Sequence, residues 1–402
     1  MGRKKKVTFI PTKYRPVVTP DVMAFPEDVM TGFAERFADV YSEVLESPPY
    51  AFYISALTCL GSVLSGRIKI QSELKTDPRL YTILLGQAGV TRKSTTNLKA
   101  VEFFRDTLGA DFNMTWGVGS AEGLASVMAK GRWNNRTLLV YDEFKQFVDK
   151  CKSKGSTLLT CVTELFESNY YENSVKASTV KFDDAHLTIL AASTFDTYAR
   201  CWDKEFTDIG FNTRLFLVPI EATEPLYALP PMVSQERYTM LQNELRDIMY
   251  ETNAGIVYPF DDYAYDYFES WYMARQRIPQ SVRLDTYALR IMTLLTANEH
   301  KFIIDIDTVQ KAVRLVEWQE KIRGVRDPVA VDNKYAEMEA RIYRVLVTRG
   351  TLSQRELRQY CNAGYYGIKV FNEALKNLIN AGDIAVSLKN RYSVVKNEGV
   401  VD

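Results

Sequence analysis

Histidine and cysteine are scarce in this sequence, and their scarcity excludes several kinds of site. Only two histidines, His186 and His300, occur among 402 residues. The five cysteines are scattered, and none of them lies in a C-x-x-C pair. Zinc sites built from Cys and His at the usual spacing are therefore excluded. An odd, scattered set of thiols fits a reducing compartment better than a disulfide framework.

Long apolar runs are also missing from the sequence. No segment approaches the roughly 18 apolar residues that a membrane-spanning helix requires. The N-terminus is basic, but it lacks the apolar stretch of a secretory signal. We therefore expect a cytoplasmic protein without a membrane partner, long enough to hold two or three domains.

The net charge is zero, but the charge is unevenly distributed. Residues 1–20 hold six Lys or Arg residues and no acid, and residues 334–397 hold eleven against five acids. Because the last five residues carry −2, residues 21–333 carry −10. We interpret residues 1–27 as a basic tail. A polyanion such as DNA would meet the basic ends of the chain before its acidic body.

Short apolar strands alternate with helices in residues 28–223, which we predict to form an α/β core. The strand candidates are residues 81–86, 137–143, 186–193 and 214–220. Runs that are apolar on both faces and alternate with helices predict a mostly parallel sheet covered by helices. Residues 224–325 begin with a proline-rich break and continue with helical periodicity, which predicts a helical lid subdomain. Residues 326–333 are predicted to be a linker.

The first strand runs into a segment that can bind phosphate. Its sequence is Gly86-Gln87-Ala88-Gly89-Val90-Thr91-Arg92-Lys93-Ser94-Thr95. In such loops backbone N–H groups wrap the phosphates, a lysine reaches the β and γ oxygens, and a hydroxyl binds Mg²⁺. The strict pattern has glycine where this sequence has Gln87 and Arg92, so an ordinary strand–helix turn is the alternative. We predict ATP and Mg²⁺ as cofactors of this loop.

An acidic pair supplies the second half of this predicted site. Asp142 and Glu143 end the strand candidate 137–143, on a strand that we expect to lie next to the first one. In P-loop ATPases the aspartate holds the Mg²⁺ shell and the glutamate polarises the attacking water. We therefore predict Lys93, Asp142 and Glu143 as catalytic residues, with Ser94 and Asp142 as metal ligands. A solvated strand end is the alternative.

These motifs resemble a family of P-loop ATPases from phages, plasmids and integrated elements, often found beside or fused to primase domains. Arg92-Lys93-Ser94-Thr95 resembles the family's Arg-Lys variant of the phosphate loop. Residues 119–124, 210–216 and 284–318 match further segments in order, although Thr213 separates an Asn and an Arg that the family pattern keeps together. The resemblance spans roughly residues 45–322. It implies an AAA+-like ATPase core that works as a ring, commonly a hexamer.

The resemblance also implies roles for residues outside the loop. Ser193 and Thr194 end a strand where AAA-type ATPases place a polar sensor of the γ-phosphate, and Thr194 is our catalytic candidate; a helix cap is the alternative. Arg214, with Arg200 as its rival, would reach the γ-phosphate of a neighbouring subunit; an intrasubunit salt bridge is the alternative. Arg290 would close onto the nucleotide from the lid; a surface arginine is the alternative.

Two regions are candidates for contact with DNA. Residues 174–181 alternate like a short hairpin, and in helicases of this kind such a hairpin enters the central pore, so Lys176 and Lys181 are candidates; a solvated loop is the alternative. Residues 334–397 predict three helices and a hairpin, which resemble a winged helix. Its candidate DNA-contacting residues are Lys369, Asn372, Lys376, Lys389 and Arg391.

Two functions remain open from the sequence. The first is an ATP-driven helicase or translocase that replicates a phage, plasmid or integrated element and binds single-stranded and duplex DNA. The second is an ATP-dependent switch that recognises an origin or loads another protein without unwinding DNA. The sequence shows no primase domain, so the ATPase would act alone or with a separate partner such as a primase or replication initiator. A transcription regulator is disfavoured by the intact acidic pair.

Overall fold

The computed structural model describes residues 24–74, 76–129, 136–175, 178–223, 227–275, 278, 281–326, 334–387 and 390–395. These residues fall into two compact units, which we call the sheet unit (residues 25–326) and the terminal unit (residues 334–395). Residues 1–23 of the predicted tail lie outside the described residues. Phe25 is buried against Tyr50 and Trp318, so the sheet unit begins earlier than the predicted boundary at residue 28.

A five-stranded parallel sheet forms the centre of the sheet unit. The strands of the unit, in chain order, are β1 (Ile68–Ile70), β2 (Tyr81–Gly86), β3 (Met114–Trp116), β4 (Arg136–Tyr141), β5 (Tyr171–Val175), β6 (Ser178–Phe182), β7 (His186–Ser193), β8 (Phe216–Ile220) and β9 (Ile256–Tyr258). The order across the large sheet is β3-β4-β7-β2-β8. The four predicted strands are confirmed, and β3 was not predicted. The expectation that β4 neighbours β2 is wrong, because β7 lies between them.

The sheet is buried on both faces, which explains its apolar strands. Every residue of β2, β4, β7 and β8 is buried. The α-helices of the unit are α1 (Gly32–Ser42), α2 (Pro49–Leu64), α3 (Lys93–Leu108), α4 (Ala121–Met128), α5 (Phe144–Cys151), α6 (Leu158–Glu167), α7 (Phe195–Cys201), α8 (Lys204–Asp208), α9 (Gln235–Glu251), α10 (Asp262–Ala274), α11 (Leu284–Asn298) and α12 (Ile306–Arg326). Helices α2 and α3 pack on the sheet and on each other, and α5 and α6 form a second such layer.

The helices that follow residue 224 pack into the same unit as the sheet. Helix α11 contacts α2, α12 contacts β8, and β9 pairs in parallel with β1. Among the described residues, no helix is long and apolar enough to span a membrane. All five cysteines are buried and unpaired, and burial raises the pKa of the Cys201 thiol to about 11.

The terminal unit has a hydrophobic core of its own. Its elements are α13 (Lys334–Arg349), β10 (Leu352–Ser353), α14 (Gln354–Tyr360), α15 (Ala363–Tyr366), α16 (Ile368–Ala381), β11 (Ile384–Val386) and β12 (Arg391–Val394). The strands form an antiparallel sheet in the order β10-β12-β11. Ser353 caps α14 through a capping box with Glu356. The short helix α15 lies between α14 and α16.

Candidate functional site

The predicted phosphate-binding and acidic motifs meet at one edge of the large sheet. Since β2, β4 and β7 are parallel, their carboxyl ends lie at the same edge. Gly86 ends β2 and leads into the phosphate loop (residues 86–95), while Asp142 and Glu143 follow β4. Ser193 ends β7 and is in register with Leu85 of β2. The central position of β7 therefore places Ser193 between the loop and the acidic pair.

The phosphate loop closes on itself through short contacts. Thr91 Oγ1 donates a hydrogen bond to the Gln87 carbonyl at 3.1 Å, and Lys93 Nζ donates to the same carbonyl at 3.2 Å. A Cβ at Gly86 would lie 2.4 Å from Thr91 Oγ1, so only glycine fits there. In the strict pattern the first glycine falls at the position of Gln87. In this chain Gly86, one residue earlier, is the glycine that allows the backbone to lie close to Thr91.

Arg92 occupies the position of the second glycine and adopts the backbone that glycine would adopt. Its φ is 49°, in the left-handed region, immediately before α3 begins at Lys93. Its guanidinium turns to Glu46, whose Oε2 lies 3.0 Å from Arg92 Nη2. The bulky side chain therefore extends toward Glu46, on the segment between α1 and α2.

Lys93 is held inside the loop, close to the acidic pair. Its side chain is only 8% exposed. Burial lowers the pKa of the Lys93 ammonium, and the carboxylates of Glu143 and Asp142 act in the opposite direction. Because the Lys93 ammonium is already largely removed from water, it loses little hydration free energy when a phosphate and its metal ion bind. Lys93 is therefore suited to binding a metal–phosphate group.

Glu143 is oriented by Ser193 rather than by Thr194. Ser193 Oγ donates a hydrogen bond to Glu143 Oε1 at 2.7 Å, and Ser193 is fully buried. Thr194 caps α7 instead: its Oγ1 accepts from the Thr197 N–H at 3.0 Å. Thr194 thus makes the contact of the cap alternative, and its assignment as the sensor of the γ-phosphate stays a prediction.

The residues at this edge fit Mg²⁺ as well as phosphate. Asp142 is exposed at the end of β4, and Ser94 is exposed in the first turn of α3. Within the part of the chain that the structure describes, no group of three His, Cys, Asp or Glu side chains could hold a metal. Mg²⁺ prefers one or two carboxylates with phosphate oxygens and water to an all-protein cage, so Asp142 and Ser94 form a suitable donor set.

Arg214, the predicted contact with a neighbouring subunit, is buried within its own chain. It precedes β8 and is 7% exposed. Its Nη1 donates to the carbonyls of Ile209 and Gly210 at 3.1 and 2.8 Å, and its Nε lies 3.9 Å from Glu167 Oε1. These contacts are those of the intrasubunit alternative, and a role at a neighbouring subunit stays a prediction. Its rival Arg200, on α7, is exposed.

Arg290 does not reach the phosphate loop, so its prediction as a nucleotide contact is wrong. It is 1% exposed and donates to the carbonyls of Asp77 and Phe166 at 3.0 and 2.6 Å. Asp77 precedes β2, whereas the phosphate loop follows it. The six residues of β2 separate the two ends of the sheet by about 20 Å. An arginine can lie buried in this apolar helix because backbone carbonyls accept hydrogen bonds from its guanidinium.

A charged cluster that the sequence did not indicate surrounds Asp77 at this far edge. Asp77 Oδ2 accepts from His186 Nδ1 at 2.8 Å and lies 3.1 Å from Arg79 Nη1. Burial alone would raise the pKa of the Asp77 carboxyl, but the hydrogen bond from His186 and the charge of Arg79 lower it well below its usual range. The three side chains are almost fully buried, so they stabilise the core rather than forming part of the candidate site.

The predicted hairpin is present as β5 and β6, which pair in antiparallel register. Lys181 is about half exposed, forms an ion pair with Asp183 at 3.1 Å and lies over the Tyr170 ring at 5.8 Å. Lys176 lies outside the described residues. Lys181 is thus accessible on the hairpin, but an acidic neighbour competes for its charge.

In the terminal unit, three predicted residues share one exposed face of α16. Lys369, Asn372 and Lys376 are exposed at helical spacing. Asn372 Oδ1 accepts from Arg358 Nη2 at 3.0 Å, which adds an arginine from α14 that the sequence did not single out.

Arg391 is the first residue of β12. Its side chain contacts α14 and the residue that precedes β10. It is exposed, and its Nη2 donates to the Thr351 carbonyl at 3.3 Å and lies 3.7 Å from Glu356 Oε2. The other predicted residue of the hairpin tip, Lys389, lies outside the described residues.

The chain is similar in structure to solved proteins. No family model matches the chain. No curated protein matches it either. Its structure is similar to that of a full-length MCM homolog from Methanopyrus kandleri, with a TM-score of 0.45 and 14% sequence identity. The match covers 72% of this chain and 58% of that protein, so the chain corresponds to less than two thirds of its length.

Proposed function

We propose that the sheet unit hydrolyses ATP and uses the energy to act on DNA. The observation that carries this proposal is the meeting of Lys93, Glu143 and Ser193 at the carboxyl edge of one parallel sheet, with Ser193 bonded to Glu143. A lysine in a phosphate loop, an acidic pair and a buried hydroxyl between them are the groups that phosphoryl transfer requires.

Each group has one task in this proposal. The backbone N–H groups of residues 87–92 and the ammonium of Lys93 bind the phosphates, and Ser94 and Asp142 hold Mg²⁺, which offsets charge on the phosphate oxygens when bound. Glu143 accepts a proton from water, or orients it, while Ser193 holds the carboxylate in one rotamer. Catalysis then depends on positioning and electrostatics rather than on a covalent intermediate.

Two variants test the ATPase directly. Lys93→Ala should weaken nucleotide binding because the phosphate charge loses its cation. Glu143→Gln should bind ATP as well as the wild type does but hydrolyse it at least about 100-fold more slowly, because the carboxylate is lost. Hydrolysis by Glu143→Gln at the wild-type rate would contradict the site assignment.

For the DNA, we propose that the exposed face of α16, with Arg391 and the predicted wing residue Lys389, binds duplex DNA as a winged helix does. The charge of residues 334–397 supports this proposal, because the segment holds eleven basic residues and five acidic ones. Phosphate contacts release counterions, so the logarithm of affinity should fall with the logarithm of salt concentration by about 0.9 per contact. Lys369→Ala with Lys376→Ala should reduce that slope by about two if both residues touch phosphate.

We further propose that the protein is a ring-forming helicase or translocase of a phage, plasmid or integrated element. The lysine-bearing β5–β6 hairpin supports strand tracking, with Lys181 and Lys176 as the contacting residues. The alternative, a switch that loads a partner such as a primase or initiator, is supported by the compact terminal unit with its own core. An ATP-dependent strand-displacement assay on forked DNA separates the two: ATP hydrolysis and DNA binding without displacement would favour the loader.

A further inference from the structure

The segment between α1 and α2 contacts the start of α3 at two points. Arg92 Nε and Nη2 both lie 3.0 Å from Glu46 Oε2. One residue further on, Ser47 Oγ lies 2.8 Å from Thr96 Oγ1 in the first turn of α3. These contacts connect residues that are about fifty positions apart in the sequence, and they bracket the end of the phosphate loop.

Both oxygens of the Glu46 carboxylate are engaged. While Oε2 accepts from Arg92, Oε1 accepts from the backbone N–H of Tyr227 at 2.6 Å. The Glu46 side chain is 11% exposed, whereas that of Arg92 is 51% exposed. The carboxylate is therefore the fixed partner, and the guanidinium lies over it from the solvent side.

The backbone of Arg92 needs such a partner. A residue with a Cβ pays a conformational penalty in the left-handed region that glycine does not, because its Cβ approaches the following carbonyl oxygen. The next residue is Lys93, whose ammonium must stay directed into the loop. Any relaxation of Arg92 toward a common backbone conformation would rotate the peptide between Arg92 and Lys93, and with it the backbone N–H of Lys93 at the start of α3.

We propose that Glu46 is a positioning residue for the phosphate loop: its ion pair holds Arg92 in the left-handed conformation that glycine would adopt unaided. This inference rests on the proposed function of the loop and names a residue that neither the loop nor the acidic pair contains. Glu46 acts through Arg92 and touches no reacting atom.

A double-mutant cycle tests the pairing. Glu46→Ala should weaken binding of a non-hydrolysable ATP analogue by about 5- to 30-fold, the range that corresponds to the left-handed penalty, with little change in kcat. Arg92→Gly should bind the analogue within about fivefold of the wild type, since glycine needs no support but is more flexible. In the Arg92→Gly background, Glu46→Ala should change affinity by less than about twofold.

Arg237→Ala is the matched control. Arg237 forms an ion pair with Glu43, three residues before Glu46, and this pair does not include a residue of the loop. This variant should leave nucleotide affinity unchanged. The proposal is overturned if Glu46→Ala weakens binding equally in both backgrounds, because Glu46 would then act through Tyr227. A loss of 100-fold or more in Arg92→Gly alone would also overturn it, because Arg92 would then be a direct phosphate ligand.

Amide hydrogen exchange of residues 86–96 in the full-length protein without nucleotide separates this inference from the proposed function. Glu46→Ala should speed exchange in this segment, and Arg92→Gly should remove the dependence on Glu46. If the wild type binds no nucleotide but this coupling is present, the ATPase proposal fails and the positioning role stands. Exchange that is unaffected by Glu46→Ala overturns the positioning role whatever the nucleotide data show.

Discussion

Replacing Ser193 with alanine should slow ATP hydrolysis without weakening ATP binding. The substitution removes one hydroxyl from a fully buried position at the end of β7, and with it the 2.7 Å hydrogen bond to Glu143. A hydrogen bond to a charged group contributes about 1.5–3 kcal/mol, which corresponds to about 10- to 150-fold in rate. Because Glu143 is only partly buried, water can replace part of this interaction, so we expect a decrease near the lower limit.

The neighbouring residue provides a matched control for this experiment. Thr194→Ala removes a hydroxyl from the adjacent position, but that hydroxyl caps α7 and does not contact Glu143. It should cost about 1 kcal/mol of stability, as loss of a helix cap usually does, and leave kcat unchanged. Steady-state ATPase assays and urea unfolding of both variants measure the two effects independently.

The contrast between the two variants can refute the reasoning. If Ser193→Ala retains the wild-type kcat, the hydrogen bond does not orient the catalytic carboxylate. An increase in kcat would mean that Ser193 restrains Glu143 in an inactive position. If Thr194→Ala loses as much activity as Ser193→Ala, the assignment of sensor and cap to these two residues is wrong.

Three further results are expected from the described contacts. Asp77→Asn should destabilise the fold by about 3–5 kcal/mol at neutral pH, because it breaks a buried ion pair. Since the pKa of Asp77 is lowered in the fold, this stabilisation is present above about pH 4 and is lost as the pH falls below it. The unfolding curves of the wild type and the variant should therefore converge in acid. Arg214→Ala should lower the free energy of unfolding by about 2 kcal/mol or more. Mixing Arg214→Ala subunits with Lys93→Ala subunits should restore no ATPase activity. Recovered activity would show that Arg214 acts between subunits. Lys181→Ala should reduce the salt dependence of single-stranded DNA binding by about one unit, and an unchanged slope in a binding titration would remove the hairpin from the DNA path.

The sequence alone determined four strands of the large sheet, the loop and the acidic pair, because each depends on local patterns. Strands that are apolar on both faces must be buried on both faces, so β2 and β7 begin and end where the sequence predicts. A helix start after a glycine-containing turn and an acidic pair after a buried strand are also local features.

Only the tertiary structure decided which residues meet. Whether Ser193 or Thr194 faces Glu143 depends on the register of β7 beside β2 and β4, and no short-range pattern encodes that register. Arg214 and Arg290 resembled functional arginines in sequence, but both are buried. Arg214 donates to carbonyls in the turn just before it, and Arg290 donates to the carbonyl of Phe166, which is 124 residues away. Glu46 gave no sequence signal at all, because its role depends on the packing of the segment before α2 against the start of α3. Long-range pairing of charged groups depends on how the helices pack on the sheet, which local sequence does not specify.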